Sequence, residues 1–225
     1  MDDAGKLADR RLRMVEDQIV YRGVTDTDVV AAMRSVPRHL FVPPEREGEA
    51  YADEALPIGH GQTISQPYMV ALMTQLLRLD VRKKILDVGS GSGYQTAVLC
   101  ELAGEVFAVE RIPELADRSR VVLEKLGYDN VTVITGDGTL GLPEQAPFDG
   151  ILVAAAAPEA PRPLLQQLAD GGRLVVPLGP LHREQTLTVF TRAGASFRRD
   201  EHVYCRFVPL IGEEGLGGTQ GDGAV

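Results

Sequence analysis

The sequence predicts an α/β fold with a doubly wound, mostly parallel sheet. From Ile85 onward, short and nearly continuous apolar runs alternate with amphipathic segments. Such runs indicate parallel strands that helices bury on both faces. The first run ends in a glycine-rich turn that opens a helical segment, which is typical of Rossmann-like nucleotide-binding units.

The core of this fold is expected over residues 81–211. Its second helix begins at Pro113 and ends before Gly127, which are ordinary start and stop signals. After Gly179 two strand-like segments follow each other without a helix, which predicts an antiparallel pair at the C-terminal edge of the sheet. The predicted parallel strands are 84–88, 105–110, 131–134, 148–153 and 173–178, the helices are 94–102, 113–126 and 161–168, and the antiparallel strands are 186–192 and 197–207.

Residues 1–80 predict a helical cap and an active-site loop that belong to the same domain as the core. Thr25 or Asp26 can cap the second helix of this region, because short polar side chains accept hydrogen bonds from the first free amides. The helical patterns of apolar residues cover 6–21, 27–33 and 68–77.

The C-terminal segment, residues 212–225, is rich in glycine and has almost no bulky apolar side chain after Leu216. A segment of this composition buries too little apolar surface to offset the entropy of ordering it. We therefore expect a flexible tail.

The composition excludes some classes of protein. The chain has 225 residues and a net charge of −9, with no Trp and 5% aromatic residues. Nucleic-acid binding relies on Lys and Arg at phosphates and on aromatic platforms for bases, so this composition weighs against it. The length suits a single large domain.

We also expect a cytoplasmic protein that does not bind membranes. The first 13 residues are charged and contain no apolar stretch of a secretory signal, and no apolar run is long enough to span a bilayer. Cys100 and Cys205 are expected to be reduced, and a disulfide between them is the less favoured alternative.

The glycine-rich turn has the sequence Asp87-Val88-Gly89-Ser90-Gly91-Ser92-Gly93. It is not a dinucleotide fingerprint, because Tyr94 stands where that fingerprint requires its third glycine. Asp87 stands two positions before the first glycine, where a carboxylate suits a ligand with a cationic amino group and would repel a pyrophosphate. The turn alone is also compatible with a tight βα connection.

Two further carboxylates follow the next two strands. Glu110 closes the second strand, where it can accept both ribose hydroxyls, and Asp137 follows the third, where it can accept an adenine amine. Taken singly, Glu110 could be a solvated strand-end charge and Asp137 a turn residue. Together with the turn they predict S-adenosylmethionine as the cofactor. The candidate cofactor-binding residues are Asp87, Gly89, Ser90, Gly91, Gly93, Glu110, Arg111, Asp137 and Gly138.

These features resemble the class I S-adenosylmethionine-dependent methyltransferases, and four further motifs resemble one family of them, the protein-L-isoaspartate O-methyltransferases. The resemblance covers roughly residues 10–212. Its most specific part is Gly-Gln-Thr-Ile-Ser-Gln-Pro before the glycine turn. The motifs lie at 36–43 (VPRHLFVP), 51–59 (YADEALPIG), 61–71 (GQTISQPYMVA) and 206–210 (RFVPL).

The resemblance implies a protein repair reaction. Such an enzyme transfers a methyl group from S-adenosylmethionine to the α-carboxylate of L-isoaspartyl residues in damaged proteins, and weakly to D-aspartyl residues. It leaves S-adenosylhomocysteine, and the ester cyclises to a succinimide. We also expect a monomer, and we expect no metal, because the four His residues are dispersed and show no metal-ligand spacing.

The same resemblance implies which residues meet the substrate. Ser65 corresponds to the family's active-site serine, and Thr63, Ile64, Ser65, Val208, Pro209 and Leu210 correspond to substrate-binding positions. A positioning role suits Ser65, because a carboxylate is already ionised at pH 7 and needs alignment and desolvation instead of a general base. A cap of the following helix is a compatible alternative for Ser65.

Two positions depart from the family pattern. Val70 and Met69 stand where many members have a His, and residues 211–214 contain no Thr or Gln near the cofactor. The Asp222-Gly223 step lies in the predicted tail, where isomerisation is least restrained, so the tail is itself a candidate substrate.

The segment after the fourth strand, Val153–Pro158, argues against two other classes of methyltransferase. This segment lacks the Asn/Asp-Pro-Pro-aromatic signature of enzymes that methylate exocyclic amines, and it lacks the carboxylates of metal-dependent small-molecule O-methyltransferases. A non-catalytic cofactor-binding protein is disfavoured by the full set of candidate residues. A methyltransferase for another carboxylate or small molecule stays open.

Overall fold

The computed structural model describes residues 3–180 and 183–217 and confirms the α/β fold. Its elements follow the predicted order, with a small hairpin added in the N-terminal region. The helices are α1 (Asp3–Met14), α2 (Thr27–Ser35), α3 (Pro67–Leu77), α4 (Tyr94–Cys100), α5 (Pro113–Lys125) and α6 (Arg162–Gln166). The strands are β1 (Leu56–Gly59), β2 (Gln62–Ile64), β3 (Lys84–Val88), β4 (Glu105–Glu110), β5 (Val131–Thr135), β6 (Phe148–Val153), β7 (Leu168–Leu178), β8 (Gln185–Ala193) and β9 (Ser196–Cys205).

The large sheet has the order β5-β4-β3-β6-β7-β8-β9. The strands from β5 to β7 are parallel, whereas β8 and β9 are antiparallel additions, as predicted for the C-terminal edge. The chain moves outward in opposite directions from β3 and β6, so the crevice at their carboxyl ends is the expected ligand site.

Side chains of the central strands alternate between two apolar layers. In β3, Ile85 packs in one cluster and Leu86 in another, and the same division separates Leu152 from Ile151 in β6. All four side chains are fully buried. The sheet is therefore covered on both faces, which explains the continuous apolar runs of the sequence.

The N-terminal region differs from the prediction of one long first helix. After Met14 the backbone widens into a π-helical segment, Val15–Val20, that still buries Val15 and Ile19. Helix α2 begins at the predicted cap, because Asp26 Oδ1 accepts hydrogen bonds from the amides of Asp28 and Val29 at 3.0 and 3.2 Å.

The hairpin of β1 and β2 was not predicted. It pairs Leu56 with Ile64 and turns at Gly59-His60-Gly61, whose φ angles are +95°, +52° and +68°. Glycine tolerates this left-handed region without strain, which explains two of the three turn residues. The hairpin leads directly into α3.

A buried arginine fixes the chain before this hairpin. Arg38 is fully buried, and its Nε donates to the carbonyl of Ala50 at 2.7 Å while its guanidinium lies 4.9 Å from the centre of the Tyr94 ring. Burial lowers the pKa of Arg38 to about 10, so it stays charged at neutral pH. The guanidinium thereby links the segment before the hairpin to helix α4.

The C-terminal segment differs from the predicted tail over residues 212–217. These residues form a turn, and the amide of Glu213 donates to Asp137 Oδ2 at 2.7 Å. Residues 218–225, with the predicted modification site Asp222, lie outside the described residues.

Two further expectations can be compared with the structure. Cys100 and Cys205 are both free and buried, and burial raises the pKa of both thiols. Within residues 3–180 and 183–217, no helix combines the length and apolarity needed to cross a membrane.

Candidate active site

The glycine turn at the carboxyl end of β3 is held by hydrogen bonds from the neighbouring strand. The amide of Gly89 donates to the carbonyl of Val109 at 2.8 Å, and the amide of Gly91 donates to Glu110 Oε2 at 2.9 Å. Hydrogen bonds to β4 therefore hold the turn in position without a ligand.

Gly93 has a packing reason to be glycine. Its φ is +86°, and a Cβ atom there would lie 2.9 Å from the Cβ of Ser119 on α5. Any other residue would strain the backbone and push the two helices apart. Gly93 therefore permits the close approach that places helix α4 behind the turn.

Asp87 is a fully buried carboxylate with one oxygen unpaired. Its Oδ2 accepts a hydrogen bond from Thr96 Oγ1 at 2.6 Å, whereas Oδ1 has no partner in the described part of the chain. Burial raises the pKa of Asp87 to about 7, since the hydrogen bond from Thr96 offsets only part of that effect and Glu110 adds repulsion. A buried acceptor without a donor favours a cationic or donating ligand nearby.

Glu110 is also buried, but both of its carboxylate oxygens are occupied. Oε2 accepts from the amide of Gly91, and Oε1 accepts from the amide of Ile112 at 3.0 Å. Each oxygen retains a second lone pair for a ligand hydroxyl. Glu110 thus holds the glycine turn in place and still lines the cavity beside it.

The carboxylate of Asp137 accepts hydrogen bonds from neighbouring groups of the protein. Its Oδ1 accepts from the amide and hydroxyl of Thr139 at 2.9 and 2.7 Å, and Oδ2 accepts from the amide of Glu213. Burial alone raises the pKa of Asp137, but the hydrogen bonds from Glu213 and Thr139 outweigh it and the pKa is lowered. The neighbouring Gly138 lacks room for a side chain, because a Cβ would lie 2.6 Å from Val88 Cγ1.

A cavity lies at the carboxyl ends of β3 and β4. Its lining combines apolar side chains with a few polar groups, as is usual for a small-molecule site. Asp87, Gly93 and Asp137 do not line it and lie behind its walls. The other predicted residues line it, namely Thr63, Ile64, Ser65, Gly89, Ser90, Gly91, Glu110, Arg111, Gly138, Val208, Pro209 and Leu210.

Sequence reasoning missed part of this lining. Gln62, Gln95 and Ile211 also face the cavity, as do Ala154 and Ala155. The signal that could have found the two alanines is their position directly after β6, at the crevice between the strands.

A second cavity of about 1,020 Å³ forms a groove beside the first. The two cavities share Thr63, Ser65, Ala154 and Val208, which we call the shared wall. The hydroxyl of Ser65 has no hydrogen-bond partner within the described ranges. Gln66, not Ser65, occupies the N-cap position of α3, so the alternative role of Ser65 as a cap is wrong.

One side of the groove carries a polar network that the sequence did not reveal. Arg22 forms an ion pair with Asp53 at 3.3 Å and lies 3.7 Å from the centre of the Tyr68 ring. Gln66 Nε2 donates to Asp53 Oδ1 at 2.8 Å. The opposite side is formed by the chain from Tyr204 to Val208, so the groove lies between distant parts of the sequence.

The arrangement suits transfer of a small group between two bound molecules. A ligand in the first cavity and a ligand in the groove would come together at the residues of the shared wall. No three His, Cys, Asp or Glu side chains come together as a possible metal site among the residues that the structure describes.

Known proteins with this architecture identify the family. The family model for protein-L-isoaspartate(D-aspartate) O-methyltransferase matches residues 9–215. A protein-L-isoaspartate O-methyltransferase from Methanoregula boonei is 53% identical over 208 residues, which cover 92% of this chain and 95% of that protein. A protein-L-isoaspartate O-methyltransferase 2 from Geotalea uraniireducens is 53% identical over 209 residues, 92% of this chain and 96% of its own.

Solved structures agree with these relatives. One protein-L-isoaspartate O-methyltransferase structure aligns with a TM-score of 0.81 and 28% identity over 92% of this chain and 67% of that chain. Another, from Plasmodium falciparum in complex with S-adenosyl-L-homocysteine, aligns with a TM-score of 0.77 and 29% identity over 89% of this chain and 97% of its own. The predicted enzyme class and cofactor are thereby confirmed. The chain belongs to the protein-L-isoaspartate O-methyltransferase family of S-adenosylmethionine-dependent enzymes.

Proposed function

We propose that the protein methylates the α-carboxylate of L-isoaspartyl residues, and weakly of D-aspartyl residues, in damaged proteins. The observation that carries this proposal is the shared wall. Thr63, Ser65, Ala154 and Val208 face the deep cavity on one side and the open groove on the other. A methyl donor in the cavity and a peptide carboxylate in the groove would therefore meet at the Ser65 hydroxyl.

The chemistry of this wall suits a carboxylate nucleophile. Bound S-adenosylmethionine supplies an electrophilic methyl group on its sulfonium. The acceptor carboxylate is already ionised at neutral pH, so the reaction needs no general base. The shared wall indeed contains no Asp, Glu, His or Lys. Ser65 would orient the carboxylate by donating a hydrogen bond, and the apolar members of the wall would exclude water.

Each cofactor residue is proposed to hold a distinct part of the molecule. The negative charge of Asp87 favours the ammonium group through the turn, and Glu110 accepts from the ribose hydroxyls with its remaining lone pairs. Gly89, Ser90, Gly91 and Arg111 surround the same region of the cavity. Asp137 and Gly138 lie at the proposed adenine end, where Asp137 has one acceptor position left.

The open groove suits a polypeptide partner. Thr63 and Tyr204 are exposed at its edge, so a chain of any sequence can enter from solvent. The net charge of −9 weighs against nucleic acid as the substrate. Cytoplasmic location and a monomeric state stay predictions.

The test is methyl transfer to a matched pair of peptides. The wild-type protein, labelled S-adenosylmethionine and either an isoaspartyl peptide or its aspartyl isomer are incubated, and the label is counted. We expect label in the isoaspartyl peptide alone, released as methanol by mild base because the product is an ester. Equal labelling of both peptides, or of neither, would contradict the proposal.

A further inference from the structure

The last described part of the chain, residues 206–216, forms a wall of both cavities, and we call it the C-terminal strap. Its residues 206–208 line the groove and its residues 208–211 line the cofactor cavity. The position of the strap therefore shapes both binding sites.

The middle of the strap is fastened to the segment after β6. The amide of Ala156 donates to the carbonyl of Val208, and the amide of Leu210 donates to the carbonyl of Ala156, both at 2.8 Å. These bonds hold residues 208–210 against the segment after β6. Beyond Leu210, the position of Ile211 depends on contacts further along the chain, which include the amide of Leu216 donating to the carbonyl of Leu210 at 2.8 Å.

Those contacts converge on Asp137 and Thr139. The amide of Glu213 donates to Asp137 Oδ2 at 2.7 Å, and the amide of Glu214 donates to Thr139 Oγ1 at 3.1 Å. The hydroxyl of Thr139 donates in turn to Asp137 Oδ1 at 2.7 Å. A single carboxylate thus lies at the centre of the bonds that fasten the end of the strap.

The turn of the strap has no room for side chains at its two glycines. A Cβ on Gly212 would lie 2.1 Å from Asp137 Oδ1, and one on Gly215 would lie 2.5 Å from the carbonyl oxygen of Leu210. The amide of Gly215 closes the turn on the carbonyl of Gly212 at 3.2 Å. The backbone is therefore pressed directly against the carboxylate.

The charge of Asp137 suits this role. Its hydrogen bonds lower its pKa against the effect of burial, so the carboxylate is ionised at neutral pH. Hydrogen bonds to ionised acceptors are stronger than those between neutral groups. A carboxylate accepts about four hydrogen bonds, and three are made within the protein, so one position remains for a ligand.

We propose that Asp137 is a positioning residue for the cofactor site. Through the amide of Glu213 it fastens the C-terminal strap, and the fastened strap presents Leu210 and Ile211 to the cavity. This role rests on the cofactor pocket assigned above and is separate from any direct contact of Asp137 with adenine.

A proline substitution tests the fastening of the strap to Asp137. Glu213 is the second residue of the turn that Gly215 closes on Gly212, a position that proline favours. Glu213→Pro removes the amide donor and puts a ring methylene in its place against the Asp137 carboxylate, so it both breaks the hydrogen bond and crowds the acceptor, whereas Glu213→Ala keeps the donor. The two variants share the loss of the glutamate side chain, so their difference measures the fastening of the strap to Asp137.

The readout is S-adenosylhomocysteine binding by calorimetry, without any methyl acceptor. We expect Glu213→Pro to raise the Kd about fivefold to tenfold over Glu213→Ala, the scale of one typical hydrogen bond in a protein. The ratio of Kd values for S-inosylhomocysteine, which lacks the adenine amine, and S-adenosylhomocysteine should stay at its wild-type value in both variants. Equal affinity of the two variants for S-adenosylhomocysteine would overturn the proposal.

A second variant guards against a folding defect. Gly212→Ala places a methyl group against Asp137 from the other side and should raise the same Kd, with hydrogen exchange increased at residues 210–216 and unchanged in β3. An unchanged Kd for this variant also overturns the proposal. The binding measurements contain no peptide. They can therefore be interpreted even if the protein does not methylate isoaspartyl peptides.

Discussion

The cofactor cavity and the groove hold their polar groups in different ways. In the cavity, Glu110 is buried and bonded to two backbone amides before a ligand arrives. In the groove, the ion pair of Arg22 and Asp53 has side chains that are 39% and 44% exposed, and Tyr204 is 76% exposed. A site for one invariant molecule can be organised in advance, whereas a site for many polypeptides must stay open.

The largest expected effect comes from a substitution in the shared wall, between the two sites. Ser65→Ala should lower kcat about 10-fold to 100-fold, the range for removing one positioned donor, because the carboxylate loses its alignment. The Kd for S-adenosylhomocysteine should change less than about twofold, since the cavity keeps its other contacts. Single-turnover kinetics and calorimetry measure the two quantities. Ser65→Thr, which keeps a hydroxyl, should recover part of the rate, and equal losses of turnover and affinity would contradict the positioning role.

The second prediction concerns the buried negative charge of Asp87, behind the cofactor cavity. Asp87→Asn should weaken S-adenosylhomocysteine binding about tenfold, because the charge that favours the ammonium is lost. The same change should stabilise the ligand-free protein at pH 8. A pKa raised from 3.8 to about 7 means that ionised Asp87 costs folding free energy. That cost is at most about 4 kcal/mol and grows as pH rises from about 4 to about 7.

Thermal unfolding at two pH values checks this account. The variant should melt several degrees above the wild type at pH 8 and show a smaller difference at pH 5, where folded Asp87 is protonated. A variant that is less stable than the wild type at pH 8 would show that Asp87 is paired in the ligand-free protein.

The third prediction uses pH to titrate the same group. As pH falls through about 7, Asp87 takes up a proton and its attraction for the ammonium weakens. The Kd for S-adenosylhomocysteine should therefore rise between pH 8 and pH 5, towards the about tenfold limit set by the neutral residue. Calorimetry across this range should give a flat profile for Asp87→Asn. If the wild-type Kd is also independent of pH, Asp87 does not titrate between pH 5 and pH 8.

The smallest effect is expected in the groove. Asp53→Asn breaks an exposed ion pair, so the KM for an isoaspartyl peptide should change only about twofold to threefold. Binding of S-adenosylhomocysteine should be unaffected, because Asp53 does not line the cofactor cavity. Steady-state kinetics at low and high salt measures the change in KM. A loss of cofactor affinity would mean that the two sites are less separate than their walls indicate.

The sequence predicted where the cofactor cavity lies for a physical reason. The carboxyl ends of neighbouring parallel strands meet at one edge, so Glu110 and Gly138 could be assigned to that edge, and both line the cavity, whereas Asp87 and Asp137 lie behind its walls. The sheet and its antiparallel edge followed from the same apolar runs. The motif around Ser65 located the shared wall through resemblance.

The features that the sequence did not predict depend on contacts that leave no local pattern in the sequence. Arg22 and Asp53 meet across 31 residues, and the strands of the missed hairpin are only four and three residues long. The engagement of Asp137 by the amide of Glu213 carries no side-chain signal, because every residue except proline has that donor. Residues 212–217, the first part of the predicted tail, form a turn against Asp137 that the sequence did not reveal.

The shared wall and the strap also bear on how the protein is made. Ser65 precedes the glycine turn in the chain, and Leu210 and Ile211 follow the last strand, yet they enclose one cavity. During synthesis on a ribosome, the parallel sheet can assemble while the last wall of its pocket is still inside the exit tunnel. Cofactor binding can thus give its full stabilisation only after residues 208–211 have left the tunnel and closed the cavity.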